Sequence, residues 1–209
     1  MKMLKEFVTI LMALSTGLMV ACGGGDDGTD DSDHDFGTNN PDLISAVGDS
    51  ITHGFGATPY TSFLSGMVGK STINNGIDGA RSDEIASRTG NILLSQKPGY
   101  LVIMAGTNDI GDGRTPESVI ANLSNMIDTA RNNQTIPILC TIPPAYGPAA
   151  GRDGAFQILN SQIRSLGSSK GARVADVSPT ISEAQMQEDG IHPTTEGQQN
   201  IATAVANRF

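Results

Sequence analysis

The chain has 209 residues, of which 38% are hydrophobic, and a formal net charge of −9. That is room for one globular domain with appendages rather than a membrane bundle, and after residue 22 no stretch is long and apolar enough to span a bilayer. Six acidic residues, Asp26, Asp27, Asp30, Asp31, Asp33 and Asp35, share one short stretch, so the rest is only mildly acidic; with no basic stripe, nucleic acid is excluded as a partner.

Met1 to Lys5 is a basic start, Phe7 to Val20 an apolar run, and a small residue precedes Cys22, which together predict an export signal over residues 1–21. Leu18 to Cys22 resembles a bacterial lipobox, with Met19 where leucine is commoner. The resemblance implies a lipoprotein signal peptide, lipidation of Cys22, and an exported lipoprotein of the cell envelope, periplasmic or surface-facing, that meets the membrane only through this N-terminal lipid. Residues 22–41 are rich in Gly and Asp and poor in apolar groups, so they are expected to be a disordered acidic tether. Asp31, Asp33, Asp35, Asn39 and Asp42 imitate calcium-loop spacing, but Phe36 stands where glycine is required and Asp42 where the bidentate glutamate belongs. No metal site is expected.

From residue 42 to 209, apolar runs alternate with helical patterns. Leu43 to Val47 reads as a first strand, followed by a helix carrying Tyr60, Phe63, Leu64, Met67 and Val68. Ser71 to Ile77 is a weaker strand, and Ser82 reads as the N-cap of a helix with Asp83 and Glu84 in its first turn. Tyr100 to Ala105 is the clearest buried strand. Thr115 and Pro116 then open a helix whose inner face is Val119, Ile120, Leu123, Met126, Ile127 and Ala130. Ile136 to Ile142 is a fourth strand with Pro137 near its start, Phe156, Leu159, Ile163 and Leu166 form a helical stripe, and Ala172 to Val177 is the last strand. Thr195 and Gln198 suggest a capping box for a final helix with Ile201, Val205 and Phe209 inward. Five strands alternating with helices predict one three-layer α/β/α domain around a parallel sheet, whose ligands sit at the carboxyl edge of the strands.

The loops at that edge carry the chemistry. Gly48-Asp49-Ser50 follows the first strand, Asn74 to Arg81 the second, Gly106-Thr107-Asn108-Asp109 the third, and Asp189-Gly190-Ile191-His192 the fifth. In this order the blocks resemble the SGNH hydrolases, the superfamily of GDSL-like lipases and esterases, over the whole body from Leu43 onward. The resemblance implies a flavodoxin-like fold, an ester hydrolase without cofactor, Ser50 as nucleophile, His192 as base and Asp189 as its orienter. It also implies an oxyanion hole from the Ser50 amide, the Gly79 amide and the Asn108 side chain, with Gly76 competing for the place of Gly79. The chemistry agrees: a serine hydroxyl needs a neighbouring base, and histidine as a residue type ionises near neutrality.

Each block has a plainer reading as a turn or cap, and the joint occurrence favours the site. Asp49, His53 and Asp109 are expected to line it; His53 is a rival base, set aside because no carboxylate orienter is evident. Gly167-Ser168-Ser169-Lys170-Gly171 matches the G-x-S-x-G pattern but sits between a helix and a strand, the reverse of a nucleophile elbow. Cys140, in an apolar run, reads as a buried inert thiol. The expected substrate is a small-molecule or glycan ester, with short acyl groups such as O-acetylated carbohydrate preferred. The alternatives are a lysophospholipase or thioesterase activity and a non-catalytic binding module.

Overall fold

The computed structural model describes residues 31–209, so the expected signal peptide and Cys22 lie outside the described residues. Five strands form one sheet in the order β2-β1-β3-β4-β5: β1 (Asn40–Gly48), β2 (Ser71–Gly76), β3 (Pro98–Met104), β4 (Ile136–Cys140) and β5 (Arg173–Ala175). Every ladder is parallel. The helices are α1 (Ser50–His53), α2 (Tyr60–Val68), α3 (Ser82–Gln96), α4 (Thr107–Gly111), α5 (Pro116–Asn132), α6 (Asp153–Lys170) and α7 (Thr195–Ala206). The chain steps one way from β1 to β2 and the other way through β3, β4 and β5. Right-handed crossovers therefore put α2 on one face and α3, α5 and α6 on the other, and α7 packs against α2. The three-layer α/β/α architecture matches the expectation. Among the described residues no helix is long and apolar enough to cross a membrane.

Strands covered on both faces should read as continuous apolar runs. The run Leu101 to Met104 in β3 and the residues Ile44, Ala46 and Val47 in β1 have no exposed surface. Pro137 is the second residue of β4, ahead of Ile138 where pairing with β5 begins, so its missing amide costs that ladder nothing. Thr115 caps α5 by accepting from the Ser118 amide, with Pro116 in the first turn, as predicted.

Three local expectations are corrected. Residues 31–41 are not a free tether: β1 begins at Asn40, and the Arg173 guanidinium grips Asp31 through two contacts, one of them Nη1 to Oδ2 at 3.0 Å. The Tyr100 hydroxyl donates to Asp31 at 2.9 Å, and Phe36 packs on the Tyr100 ring. The acidic composition was misleading because this carboxylate meets a guanidinium on the body. Ser82 is the first residue of α3 rather than its cap, and its hydroxyl is committed to Asp109. Thr194, not Thr195, caps α7.

Gln198 is freed from capping for another job. It is buried, its Oε1 accepts from the Tyr60 amide at 2.9 Å, and its Nε2 donates to the Ile51 carbonyl at 2.8 Å. One side chain thus joins the last helix to the first two. Gln198→Ala would strand two buried backbone groups and should lower unfolding free energy by about 2–4 kcal/mol. The exposed neighbour change Gln199→Ala should stay within about 0.5 kcal/mol. Urea denaturation of the two variants checks this, and equal stability would refute the joint.

Candidate active site

β1 ends at Gly48, in register with Gly76 of β2 and Met104 of β3. A Cβ on Gly48 would lie 2.0 Å from Thr52 Oγ1, and one on Gly76 would lie 2.2 Å from the His53 amide nitrogen. Both strand ends are glycine because α1 lies directly across them. Asp49 is the N-cap of α1 and its Oδ1 accepts from the Ile51 amide at 2.9 Å. Ser50 follows in the first turn.

The Ser50 hydroxyl is 2.8 Å from His192 Nε2, and His192 Nδ1 is 2.6 Å from Asp189 Oδ2. An ionised carboxylate can only accept, so the proton sits on Nδ1 and Nε2 is left to accept from Ser50. The other carboxylate oxygen accepts from the amides of Ile191 at 2.9 Å and His192 at 3.0 Å. Burial alone would raise the Asp189 carboxyl, but the bonds from the His192 amide and ring and from Ile191 outweigh it and hold it below the usual carboxylate value. The loop that carries His192 is closed by an antiparallel bridge between Met186 and Pro193, and Gln187 braces it, its amide donating to the His192 carbonyl at 2.8 Å and its side chain to the Phe55 carbonyl at 2.7 Å.

Beside Ser50 lie the turn after β2 and the loop after β3. The Gly76 amide is already committed to Asn74 Oδ1 at 2.9 Å, whereas the Gly79 amide makes no hydrogen bond among the described residues. Gly79 has φ +73°, a backbone conformation that favours glycine. Asn108 Nδ2 donates to the Ala80 carbonyl at 3.0 Å, which fixes the side chain and leaves its second N–H for another acceptor.

The expected lining residues divide. Asp49 and Asp109 have no exposed surface, so they do not line the site but support it from beneath, a correction to the expectation. Asp109 accepts from both the amide and the hydroxyl of Ser82, tying the loop after β3 to α3. Asp49 Oδ2 has no partner among the described residues, and burial, opposed by the Ile51 bond and by His192, pushes its carboxyl up to about 6. His53 does reach the rim, but it has the carboxylate partner that the sequence did not reveal: its Nδ1 is 2.7 Å from Asp78 Oδ1. Asp78, Phe55 and Gln187 were missed as rim residues. The Phe55 ring lies 4.6 Å from that of His192, and only its position shortly after Ser50 could have marked it.

The remaining candidates fall elsewhere. Ser169 lies in the last turn of α6 and donates to the Leu166 carbonyl, on the helix before β5 and away from the rim. Cys140 is buried in β4, and burial pushes its thiol up. Among the described residues no cluster of His, Cys, Asp and Glu could hold a metal ion.

The model of the GDSL-like Lipase/Acylhydrolase family matches residues 46–199, which contain all four blocks. No curated protein matches the chain. Solved structures share the fold at low identity. A member of the lipolytic protein G-D-S-L family from Veillonella parvula is 22% identical with a TM-score of 0.70, covering 78% of this chain and 94% of that one. The aryl esterase of M. smegmatis is 19% identical with a TM-score of 0.70, covering 78% and 96%. A carbohydrate acetylesterase from Sinorhizobium meliloti is 17% identical with a TM-score of 0.69, also covering 78% and 96%. With the family model spanning most of the chain, this protein belongs to the GDSL-like lipase/acylhydrolase family and is a carboxylic ester hydrolase.

Proposed function

We propose that the protein is a serine esterase that cleaves short-acyl esters, such as O-acetyl groups on carbohydrate, through an acyl-enzyme on Ser50. The observation that carries this reading is the unbroken relay from Ser50 through His192 to Asp189, at 2.8 and 2.6 Å. As Ser50 Oγ attacks the ester carbonyl, its proton passes to His192 Nε2, and Asp189 stabilises the imidazolium without taking the proton. The oxyanion is met by the amides of Ser50 and Gly79 and by the second N–H of Asn108. Collapse expels the alcohol with the proton from His192; water, deprotonated by the same imidazole, then releases the acid. No step calls for a metal or organic cofactor.

The short-acyl preference has two supports. The rim groups around Ser50 include His53, Asp78 and Gln187, which suit a hydroxylated substrate better than a long chain. A carbohydrate acetylesterase and an acetyl esterase are among the proteins that share the fold. The exposed Phe55 and Ile77 are the features that would serve a lipolytic substrate instead. The same reading takes the protein as an exported envelope lipoprotein held through Cys22, on the strength of the residues that precede it.

A fluorophosphonate probe should label the wild type at Ser50, and Ser50→Ala should lose at least about 10³-fold in kcat while Ser169→Ala keeps its activity. The wild type should turn over p-nitrophenyl acetate faster than the octanoate and decanoate esters; a preference for the long chains would replace the acetylesterase reading with the lipolytic one.

Asp49 gives a stability prediction with a definite sign. Its carboxyl is raised from 3.8 to about 6 by burial, so the folded state holds that proton more tightly than the unfolded one. Its contribution is fully present below about pH 4 and is lost as pH rises toward about 6. Asp49→Asn keeps an oxygen for the Ile51 amide and removes the charge. Its stability relative to wild type should therefore climb over that window and level off, by on the order of 2–3 kcal/mol. Denaturation midpoints at pH 4, 5, 6 and 7 measure the climb, and a constant difference would contradict it.

For the anchor, Cys22→Ser should move the protein from the membrane fraction to the soluble fraction of a bacterial host. Unchanged fractionation would refute lipidation at Cys22.

A further inference from the structure

His53 and Asp78 form a second imidazole–carboxylate pair at the rim, 2.7 Å apart, and the reaction described above does not use it. Ser50 and His53 are the first and last residues of α1, at a spacing that sets them on one side of a single helical turn. Asp78 lies in the turn Ile77 to Ala80, closed by the Ala80 amide on the Ile77 carbonyl at 3.1 Å, with Gly79 inside it. The bond therefore runs from the helix of the nucleophile to the turn that offers the Gly79 amide.

That turn needs such a tie. A Cβ built on Gly79 would meet nothing within 4 Å, so the side of the residue that a side chain would occupy is open and lends it no packing. The Ile77 amide holds the start of the turn on the Gly48 carbonyl at 3.2 Å, and Asn108 holds its end through Ala80. Between those two points the only side-chain tie among the described residues is His53 to Asp78. His53 does not replace the base, because the hydroxyl of Ser50 is bonded to His192.

We infer that His53 and Asp78 are positioning residues, a clasp that holds the Gly79 amide toward the oxyanion formed above Ser50. The inference rests on the acyl-enzyme reading of Ser50. Both side chains are about half exposed, so the bond adds little to global stability and its loss should be felt in the transition state. Loss of a whole oxyanion donor costs about 10²- to 10³-fold, and loosening one should cost less, about 5- to 20-fold.

The test is steady-state kinetics on p-nitrophenyl acetate, per site titrated with the fluorophosphonate for His53→Ala, Asp78→Ala, the double variant and Asp78→Asn, and per mole of folded protein for Ser50→Ala, which the probe does not label. The clasp predicts that each alanine variant loses about 5- to 20-fold in kcat with KM within about twofold of wild type, at unchanged melting temperature. The double variant should be no worse than either single one, because one interaction is removed. Asp78→Asn should retain most of the activity, since its amide oxygen can still accept from Nδ1. Wild-type kcat in Asp78→Ala, multiplied losses in the double variant, or a loss confined to KM would each overturn the clasp while Ser50→Ala stays inactive. Full activity in Ser50→Ala would overturn the acyl-enzyme reading and the clasp with it.

Discussion

The site depends on how closely the first helical turn lies over the ends of two strands. Gly48 and Gly76 are paired across β1 and β2, and neither position has room for a Cβ beneath α1. Any side chain there would lift the helix, carrying Ser50 away from His192 and His53 away from Asp78. The sheet supplies a rigid platform, but the fit of α1 on that platform sets where Ser50 and His53 stand at the rim. The Arg88 side chain secures the same corner from α3, donating to the Gly48 carbonyl at 2.9 Å and to the Asn75 carbonyl at 2.5 Å.

Two buried carboxylates lie under this platform and act differently. Asp109 is fully engaged by Ser82 and serves as a fixed joint between the loop after β3 and the start of α3. Asp49 caps α1 with one oxygen and leaves the other without a partner among the described residues, so at neutral pH it is a poorly compensated anion behind Ser50. The field of a charged His192 favours the ionised form of Asp49, against the burial that raises its carboxyl. In the proposed mechanism, a negative charge held there at some cost in stability lies near the ring on which positive charge develops. Strain of this electrostatic kind belongs at a reacting centre.

Much of this was legible in the sequence because strand ends are marked chemically. Apolar runs that break at Gly48, Gly76 and Gly106 locate one edge of the sheet, and a serine, an asparagine and an Asp-x-x-His pair following such breaks converge there. The fold class and the meeting of Ser50, His192 and Asp189 follow from that pattern. What stayed hidden depends on contacts between segments distant in sequence. Nothing local distinguishes Asp78 from a solvated loop aspartate, and only the register of β1 with β2 brings it to His53. The burial of Asp49 and Asp109 was missed because acidic residues are ordinarily exposed. Asp31 looked like one more charge in a tether, since Arg173 is 142 residues away. Thr194 and Thr195 are indistinguishable as caps until the helix axis is fixed.

The joint made by Gln198 has a consequence for when the protein becomes active. Ser50 lies 142 residues from the imidazole it is bonded to, and Ile51 lies 147 residues from the amide that anchors α7 beside it. Both contacts close loops that are among the longest in the body, which is the slow and costly part of ordering a chain. A partly made or partly folded molecule can form the early strands and present Ser50, yet it lacks the bond to His192. On the proposed mechanism, hydrolysis is thus withheld until the final helix docks, and an unfolded chain carries a harmless serine.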